Sequence, residues 1–558
     1  MNLIDIIFTA VLVLSVTANI VILLFLKNNK TDKYLLIINS IPFLLFLIHY
    51  LLFGLNVLFI PLYAASIILI GMYFIKHLKA IYMLLTILVI ILSFTPTVFF
   101  TYMKYNVSVL EDFSSKSYTQ SFQALHNEIV EIYPFTNLKG IDMDSKYAEY
   151  RKLFEKADKD NSKEEYYTAL RQYMMSFYDG HFQMAKIVQL MGMSDPLARD
   201  LILDNIGGSY GFTVTKLDNE TMVASIVEKG SAAESAGIKL GAVITKWNGK
   251  PVRDAVKEIS LLWNMQGRSM ANENDIERNQ IALLTRGLVG AQSSVSFMDA
   301  NDLEQTITLT ATADNLTLLK NDLDTFCWSS AEDENLSYKI INDTHGYIIL
   351  NSMPSDKDGE AYQKFYDALT ELVSGGVKDI IIDARSNTGG YDEFGAHILE
   401  LLSNEKIYYL KEFTYSEKYE KYTSVQDAFI SNPNAITRNI PIVILINNQT
   451  ISAGEGFVYN ASKLPNVRIA GMTGTNGSFG TIVKSYIMPD NYLVLFPQIA
   501  CFNENGEIMI DTDSNHNGGI QPDIKIPIDR NALQSLYADK IDYELSYIIN
   551  TLNDSSSN

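Results

Sequence analysis

The chain has 558 residues, enough for several folded domains, and its formal net charge is −20. This acidic balance, with no basic patch to offset it, argues against nucleic acid as a partner. Only two cysteines occur, Cys327 and Cys501, so the sequence has neither a disulfide framework nor a CxxC zinc or redox motif. We expect no metal site and no cofactor, because no metal-ligand constellation or nucleotide-binding loop is present.

Four apolar runs occupy about the first hundred residues, which carry almost no charge. Each run is close to the ~20 residues that a helix needs to cross a bilayer. The lysines between the runs cluster in the first and third connecting loops, and the second loop has none. Because lysine-rich loops stay in the cytoplasm, four crossings place the N-terminus and the long C-terminal part outside. The runs cover residues 3–26, 34–53, 55–75 and 81–103.

We therefore predict a membrane anchor with four transmembrane helices in residues 1–105 and a multi-pass protein of the cell membrane. The membrane is then one partner of the chain, and the remaining residues lie on its extracytoplasmic side. The sequons at Asn448 and Asn476 flank the segment around Ser452, where glycans would obstruct access to an active site. Their position favours a bacterial origin.

Residues 110–200 are predicted to form a helical subdomain. Its apolar side chains recur at three- and four-residue spacing, which is typical of amphipathic helices. The last helix ends at the turn Asp179-Gly180, and His181 follows that turn directly. The predicted helices cover residues 120–133, 146–156 and 163–177.

Residues 205–312 have a different pattern, in which short β-rich runs alternate with glycine turns. This segment resembles a PDZ domain, a module that binds an extended peptide at a sheet edge. The resemblance implies that backbone amides at Tyr210, Gly211 and Phe212 receive the C-terminal carboxylate of a peptide. The alternative is a small β-domain that acts only as a spacer.

Residues 320–545 are predicted to form a layered α/β core. Buried apolar strands alternate there with amphipathic helices, which is the pattern of that fold class. The predicted strands cover 346–350, 380–383 and 442–446, and the predicted helices cover 360–373, 394–402 and 454–461.

Ser452 lies directly after the last of these strands and just before a helix. That junction lifts a side chain out of the sheet and aims helix-end amides toward it. A serine hydroxyl is a weak nucleophile, which needs a base and an oxyanion hole. Taken alone, Ser452 is better explained as an N-cap of the following helix.

A second strand-to-helix turn changes this interpretation. The segment Asp383–Gly390 also follows a buried strand, and its paired glycines allow close approach of the backbone. The amides of Gly389 and Ala453 are then placed to hold a developing oxyanion together. An ordinary strand-to-helix turn is the alternative explanation of Gly389-Gly390.

The chain carries six motifs in one order over residues 115–530: Tyr178–His181, the PDZ-like segment, Asp383–Gly390, Ser452–Glu455, Gly471–Gly477 and Gly519–Asp523. In these motifs and their order it resembles the serine peptidases that include the tail-specific C-terminal processing peptidases and the tricorn protease core. The resemblance implies a ClpP/crotonase-like core with Ser452 as nucleophile. It also implies protein or peptide substrates, with recognition of their C-termini as one option.

The family activates its serine in two ways. In the tail-specific branch a lysine follows the serine, but Gly477 stands at that position here, and no lysine lies between Lys463 and Lys484. In the tricorn-like branch a histidine after an Asp-Gly or similar turn is the base, and His181 matches that position. Histidine suits the role because its ordinary pKa lies near neutrality. A histidine that caps the preceding helix is the structural alternative.

The group that would orient His181 stays open. The tricorn-like branch has a glutamate where this chain has His516, and Asp511 and Asp513 are nearby carboxylates. Glu455, three residues after Ser452, is a further candidate.

The predicted fold class is therefore α/β, with four transmembrane helices, a helical subdomain, a PDZ-like β-rich domain and a ClpP/crotonase-like layered α/β peptidase core. The predicted function is that of a membrane-anchored extracytoplasmic serine endopeptidase with a Ser–His acyl-enzyme mechanism. Because Gly477 and His516 depart from the family pattern, the alternative is a catalytically decayed, membrane-tethered PDZ-type peptide-binding module. A sensor or transporter built on the apolar runs is disfavoured by their lack of charge.

Overall fold

A computed structural model describes residues 109–556, apart from residues 188, 190–193, 266, 328–334, 358 and 438–439. The four apolar runs predicted to span a membrane lie outside the described residues. From Leu110 onward the chain forms one structural unit.

None of the helices within the described ranges is long and apolar enough to cross a bilayer. The longest of them, Met143–Asp160, has charged side chains along its whole length. A charged side chain at the centre of a bilayer is costly, so such a helix is unsuited to a membrane span. The structure thus does not support four transmembrane helices, and we correct the predicted fold class to the α/β fold without them.

The helices of the described residues are α1 (Tyr118–Ile132), α2 (Met143–Asp160), α3 (Lys163–Met175), α4 (Pro196–Ile206), α5 (Ala232–Ser235), α6 (Val252–Lys257), α7 (Glu273–Leu284), α8 (Thr317–Phe326), α9 (Glu360–Ser374), α10 (Asp392–Glu400), α11 (Ala453–Ala461), α12 (Arg530–Leu533) and α13 (Tyr543–Ser556). Short 3-10 turns lie at Glu417–Tyr419 and Pro489–Asn491, and a π-helical turn, Gln534–Ala538, follows α12.

The strands are β1 (Val109–Asp112), β2 (Gln183–Lys186), β3 (Gly208–Ser209), β4 (Phe212–Lys216), β5 (Met222–Val227), β6 (Ile244–Trp247), β7 (Lys250–Pro251), β8 (Arg286–Gly287), β9 (Gln292–Met298), β10 (Glu304–Thr310), β11 (Thr312–Ala313) and β12 (Leu336–Ile341). They continue with β13 (His345–Leu350), β14 (Asp379–Asp383), β15 (Ile407–Ser416), β16 (Lys421–Ser424), β17 (Phe429–Ser431), β18 (Ile442–Leu445), β19 (Val467–Gly471), β20 (Lys484–Met488), β21 (Tyr492–Leu495), β22 (Ile499–Phe502) and β23 (Ile524–Lys525).

Helices α1 to α3 pack around an aromatic core. The ring of Phe122 stacks on Phe154 with centroids 4.4 Å apart and meets Tyr173 edge-on at 4.9 Å. This part of the chain also pairs with C-terminal strands, because β1 and β2 complete a sheet of order β1-β20-β21-β2. Since β2 begins at Gln183, two residues after His181, its pairing with β21 fixes the position of His181.

The β-rich region between β3 and β11 contains three small sheets, of which one has the order β10-β9-β6-β7. Its core is built from alternate strand residues such as Phe212 and Val214, which pack on Ile281 of α7. One face of β5 also packs on the peptidase core, since Val223 joins the cluster that contains Tyr347. The region is therefore attached directly to the α/β core.

The α/β core is a six-stranded sheet of order β12-β13-β14-β18-β19-β23. The strands from β13 to β23 run parallel, and β12 is antiparallel at one edge. Helices α9, α10 and α11 cover one face, and α12 and α13 cover the other, so the strands are buried on both faces as in other parallel sheets. The prediction of a layered α/β fold is confirmed.

The parallel register decides where the functional loops meet. Asp383 at the end of β14 lies beside Leu445 of β18, and Leu445 lies beside Ala470 of β19. Because these neighbouring strands end in one row, the loops that follow them share the carboxyl edge of the sheet, where α/β proteins place their sites. These loops contain Gly389, Ser452 and residues 472–483.

Candidate active site

Ser452 occupies a strained backbone conformation at the junction between β18 and α11. Its φ is 60° and its ψ is −135°, a combination that L-residues adopt only when the surroundings enforce it. The side chain is half-buried, and it makes no capping hydrogen bond to its own helix. The alternative explanation of Ser452 as a helix cap therefore lacks the bond that would define it.

The turn after β14 packs against this serine. Gly389 has a φ of +80°, and a Cβ added there would lie 2.5 Å from Cβ of Ser452 and 2.9 Å from the carbonyl oxygen of Ile451. The carbonyl oxygen of Gly389 accepts a hydrogen bond from the N–H of Met353 at 2.8 Å, which secures the turn from its other side. Glycine is therefore required at this contact, as the sequence predicted from the paired glycines.

The two predicted oxyanion donors differ in their present hydrogen bonding. Ala453 is the first residue of α11, so its N–H has no acceptor within the helix and lies at the positive end of the helix dipole. The N–H of Gly389 donates to Oδ1 of Asn387 at 2.9 Å. The Ala453 N–H is thus placed at a helix end that favours anions, whereas the Gly389 N–H already donates to Asn387.

A buried arginine anchors these loops to the C-terminal helix. The guanidinium of Arg385 donates to Asp383 at 2.7 Å and to Asp542 at 2.7 Å, and it also binds Glu544 at 3.1 Å. The other oxygen of Glu544 accepts the N–H of Met472 at 2.7 Å. Because the pairs are buried and bidentate, the loops after β14 and β19 are held in fixed positions.

Ser478 joins the segment of Ser452 to the segment of His181. Its carbonyl oxygen accepts the N–H of Ser452 at 3.1 Å, and its hydroxyl accepts the N–H of Gly180 at 2.8 Å. Gly180 is so close to this segment that an added Cβ would lie 3.0 Å from Cδ1 of Ile451. Ser478 was not predicted as a site residue. Its position directly after the motif that ends at Gly477 was the indication that the sequence offered.

Glu455 is fully buried in the first turn of α11 and holds the 475–478 loop in place. Its carboxylate accepts the Thr475 hydroxyl at 2.5 Å, the N–H of Gly477 at 2.7 Å and the N–H of Ser478 at 3.0 Å. Burial raises the pKa of Glu455 to about 7, and these hydrogen bonds oppose the rise. Among the predicted candidates for the third catalytic member, Glu455 thus supports the loop next to Ser452.

His181 lies at the start of the segment that enters β2, and its side chain is buried. Its backbone N–H donates to Oδ1 of Asp179 at 2.9 Å. Burial lowers the pKa of His181 to about 4, the charge of Asp179 opposes this, and the charges of Arg268 and Lys139 lower it further. The imidazole is therefore neutral at physiological pH, as a general base must be before it accepts a proton.

The Nδ1 of His181, where an orienting carboxylate would bind, makes no hydrogen bond in the part of the chain that the structure describes. Asp513 is half-buried and accepts N–H groups of its own loop. His516 lies against the ring of Tyr178, with centroids 4.5 Å apart. Asp511 is buried and accepts the N–H of Phe479 at 3.1 Å.

The carboxylate of Asp179 acts electrostatically on His181. Asp179 belongs to the predicted Tyr178–His181 motif, but no role was predicted for it. Its Oδ2 accepts the hydroxyl of Tyr133 at 2.8 Å. The signal for Asp179 was its position two residues before the histidine.

The predicted peptide-binding amides lie at the start of β4. The N–H of Tyr210 donates to the carbonyl of Thr285 at 3.3 Å, and the N–H of Gly211 donates to the hydroxyl of Ser209 at 3.1 Å. The side chains of Tyr210 and Phe212 are buried. Capture of a C-terminal carboxylate here stays a prediction, and it requires the Gly211 amide to release Ser209.

Residues 344–526 match the family model described as peptidase family S41. Over these residues the chain is similar to peptidase family S41. The matched residues include Gly389 and Ser452 and contain most of the α/β core. The resemblance to serine-type peptidases that the sequence predicted is therefore confirmed.

The C-terminal processing peptidase of the chloroplast of Tetradesmus obliquus is 25% identical to this chain over 226 residues. The match covers 40% of this chain and 41% of the relative, so the chain matches about two fifths of that relative's length.

Two solved structures of mature CPAF, one of them in complex with lactacystin, have the same fold as this chain. Each superposes with a TM-score of 0.51 and is 14% identical to it. The lactacystin complex covers 79% of this chain and 99% of its own, and the other covers 78% and 98%.

The location predicted from the sequence needs correction. A multi-pass membrane protein with an extracytoplasmic peptidase was expected, but the described residues contain no helix that could cross a bilayer. The expected bacterial origin also finds no support, since the matched relative is a chloroplast protein.

Proposed function

We propose that this chain is an endopeptidase that cleaves proteins or peptides through an acyl-enzyme on Ser452. The Ser452 hydroxyl attacks the carbonyl carbon of a peptide bond while its proton passes to His181. The tetrahedral oxyanion is held by the N–H groups of Ala453 and Gly389. His181 then gives the proton to the leaving amine, and water releases the acyl group by the same steps.

The observation that carries this proposal is the double hydrogen bond of Ser478. Its carbonyl holds Ser452 and its hydroxyl holds Gly180, the neighbour of His181. Two segments far apart in the sequence thus share one anchoring residue. A nucleophile and base need this type of fixed relative position, since small displacements cost large factors in rate.

The test compares Ser452→Ala and His181→Gln with wild type, using an unfolded polypeptide as substrate and a fluorophosphonate as label. We expect both variants to lose at least ~10⁴-fold in kcat/KM, and Ser452→Ala to lose labelling. Ser462→Ala is the matched control, because Ser462 lies at the other end of α11 and its hydroxyl donates to the Tyr459 carbonyl of the same helix. Cleavage and labelling that survive Ser452→Ala would exclude the proposal.

A second candidate is a peptide-binding module whose catalytic core has decayed. It is favoured by the Gly389 N–H, which already donates to Asn387, and by the unpartnered Nδ1 of His181. A chromogenic ester separates the two functions. A burst of leaving group equal to the enzyme concentration supports the peptidase, and no burst with intact peptide binding supports the module.

A further inference from the structure

Lys139 is a buried lysine that takes no part in the proposed mechanism. It lies in the turn after α1, and only 8% of the residue is exposed. Its Nζ donates to the carbonyl oxygens of Tyr178 and Thr512, each at 3.1 Å, and to the hydroxyl of Thr512 at 2.5 Å. All three donor positions of the ammonium are therefore used on two segments of the chain.

Both of these segments reach the proposed catalytic groups. Tyr178 stands three residues before His181 and has a φ of 50°, so its conformation depends on its surroundings. The N–H of Thr512 donates to the carbonyl of Gly477 at 3.2 Å, next to Ser478. Lys139 thus joins the turn that carries His181 to the loop that holds Ser452.

The charge of Lys139 is set among acidic groups. Asp179, Asp511 and Asp513 act on it electrostatically, and burial lowers the pKa of the ammonium. A buried ammonium is costly unless opposite charges and hydrogen-bond acceptors surround it. The acceptors and acidic groups around Nζ therefore offset part of the cost of burying Lys139.

We propose that Lys139 is a positioning residue for His181: its ammonium fixes the Tyr178–His181 turn against the 477–512 loops, and its positive charge disfavours protonation of the imidazole. The catalytic part of this proposal rests on the proposed function of His181 as the base. The part that concerns the charge state of the imidazole does not.

Burial has the largest effect on the charge state of the His181 imidazole, and it disfavours the protonated form. Asp179 favours that form, whereas Arg268 and Lys139 disfavour it further. Removal of the Lys139 charge takes away one of these opposing contributions. The pKa of His181 is therefore expected to rise in a variant that lacks the Lys139 charge and to stay unchanged in a variant that keeps it.

The first experiment measures the imidazole directly. NMR titration of ring-labelled histidine in the Ser452→Ala protein gives the pKa of His181, with the signal assigned by its loss in His181→Gln. We expect Lys139→Met to raise this pKa by the order of one unit and Lys139→Arg to leave it close to wild type. An unchanged pKa in Lys139→Met overturns the electrostatic part.

Lys146→Met is the matched control. The Nζ of Lys146 also donates to a segment just before His181, through the carbonyl and hydroxyl of Ser176 at 2.8 Å each. Its charge is not among those that act on His181. We expect no shift for this variant, and a shift equal to that of Lys139→Met would mean a general structural effect and overturn the proposal.

The second experiment follows kcat/KM against pH. Protonation of the base makes kcat/KM fall on the acidic side of the pH profile. Lys139→Met is therefore expected to move this acidic limb toward higher pH by the order of one pH unit. Thr512→Val keeps the charge of Lys139 and removes the hydroxyl that accepts one of its hydrogen bonds. It is expected to lower kcat several-fold with the limb unmoved, and it serves as the test if Lys139→Met fails to fold. Wild-type kcat in Thr512→Val overturns the positioning part.

The two readouts separate failure of this proposal from failure of the proposed function. If His181→Gln keeps full activity, His181 is not the base, and the NMR titration still decides the effect of Lys139 on its charge. If His181→Gln is inactive and Lys139→Met has a wild-type pH profile and titration, only the proposal about Lys139 fails.

Discussion

The hydroxyl of Ser478 accepts the N–H of Gly180 at 2.8 Å, although 298 positions separate the two residues in the sequence. Both groups are buried, so water does not replace this bond when one partner is removed. The relative position of Ser452 and His181 therefore depends on a residue that takes no part in the chemistry.

Ser478→Ala is expected to leave the Gly180 N–H buried without an acceptor. The free energy of unfolding falls by about 1–3 kcal/mol, the cost of an unsatisfied buried donor. Because His181 is then less firmly placed, kcat falls about tenfold. Urea denaturation and steady-state kinetics check both effects, and Ser462→Ala should change neither; wild-type kcat in Ser478→Ala would contradict the role assigned to this bond.

Gly389→Ala tests the contact between the two strand-to-helix turns. An added Cβ meets Cβ of Ser452 at 2.5 Å and also requires an alanine at a φ of +80°, so we expect kcat to fall by at least ~100-fold. Gly376→Ala is the control, since Gly376 has a φ of +78° with nothing within 4 Å of an added Cβ. It should lose only the ~1 kcal/mol of backbone strain and keep its kcat. Equal kcat losses in the two variants would mean that strain alone, without the contact, is responsible.

The raised pKa of Glu455 predicts that the free energy of unfolding depends on pH. Burial raises its pKa from 4.5 to about 7 in the folded state, so the folded protein holds a proton that the unfolded chain has released. The free energy of unfolding therefore falls as pH rises from about 4.5 to 7, by up to about 3 kcal/mol from this group.

The measurement compares wild type with Glu455→Gln by denaturant unfolding at several pH values. The glutamine side chain of the variant cannot ionise, so the difference in stability between the two proteins should shift in favour of the variant as pH rises through that range. A difference that is constant from about pH 4 to 8 would show that Glu455 keeps one charge state in the folded protein.

The β-rich region predicts a preference for a free C-terminus. The Ser452→Ala protein is expected to bind a peptide with a free C-terminal carboxylate more tightly than the same peptide with a C-terminal amide. The carboxylate would accept hydrogen bonds from the backbone N–H groups of Gly211 and Phe212. Ser209→Ala, which frees the Gly211 N–H, should strengthen binding by about 1 kcal/mol. Calorimetry with both peptides decides this, and equal affinities for acid and amide would favour the spacer interpretation.

The sequence was most informative where structure depends on neighbouring residues. Buried apolar runs indicated β14 and β18, and paired glycines indicated a turn with positive φ, which Gly389 has. It was least informative about the four transmembrane helices, because hydropathy reports only that a run is apolar and not how the chain folds around it.

The sequence by itself determined that Ser452 stands between a buried strand and a helix, and that glycine stands at position 389. Only the tertiary structure decided which residues meet there. Glu455 and Ser478 lie in or beside sequence motifs, but their contacts and those of Lys139 could not be predicted. Their hydrogen bonds join segments that become neighbours through the parallel strand order and the pairing of β2 with β21. The neutral state of His181 likewise follows from burial, which is a property of the whole fold and not of the sequence near it.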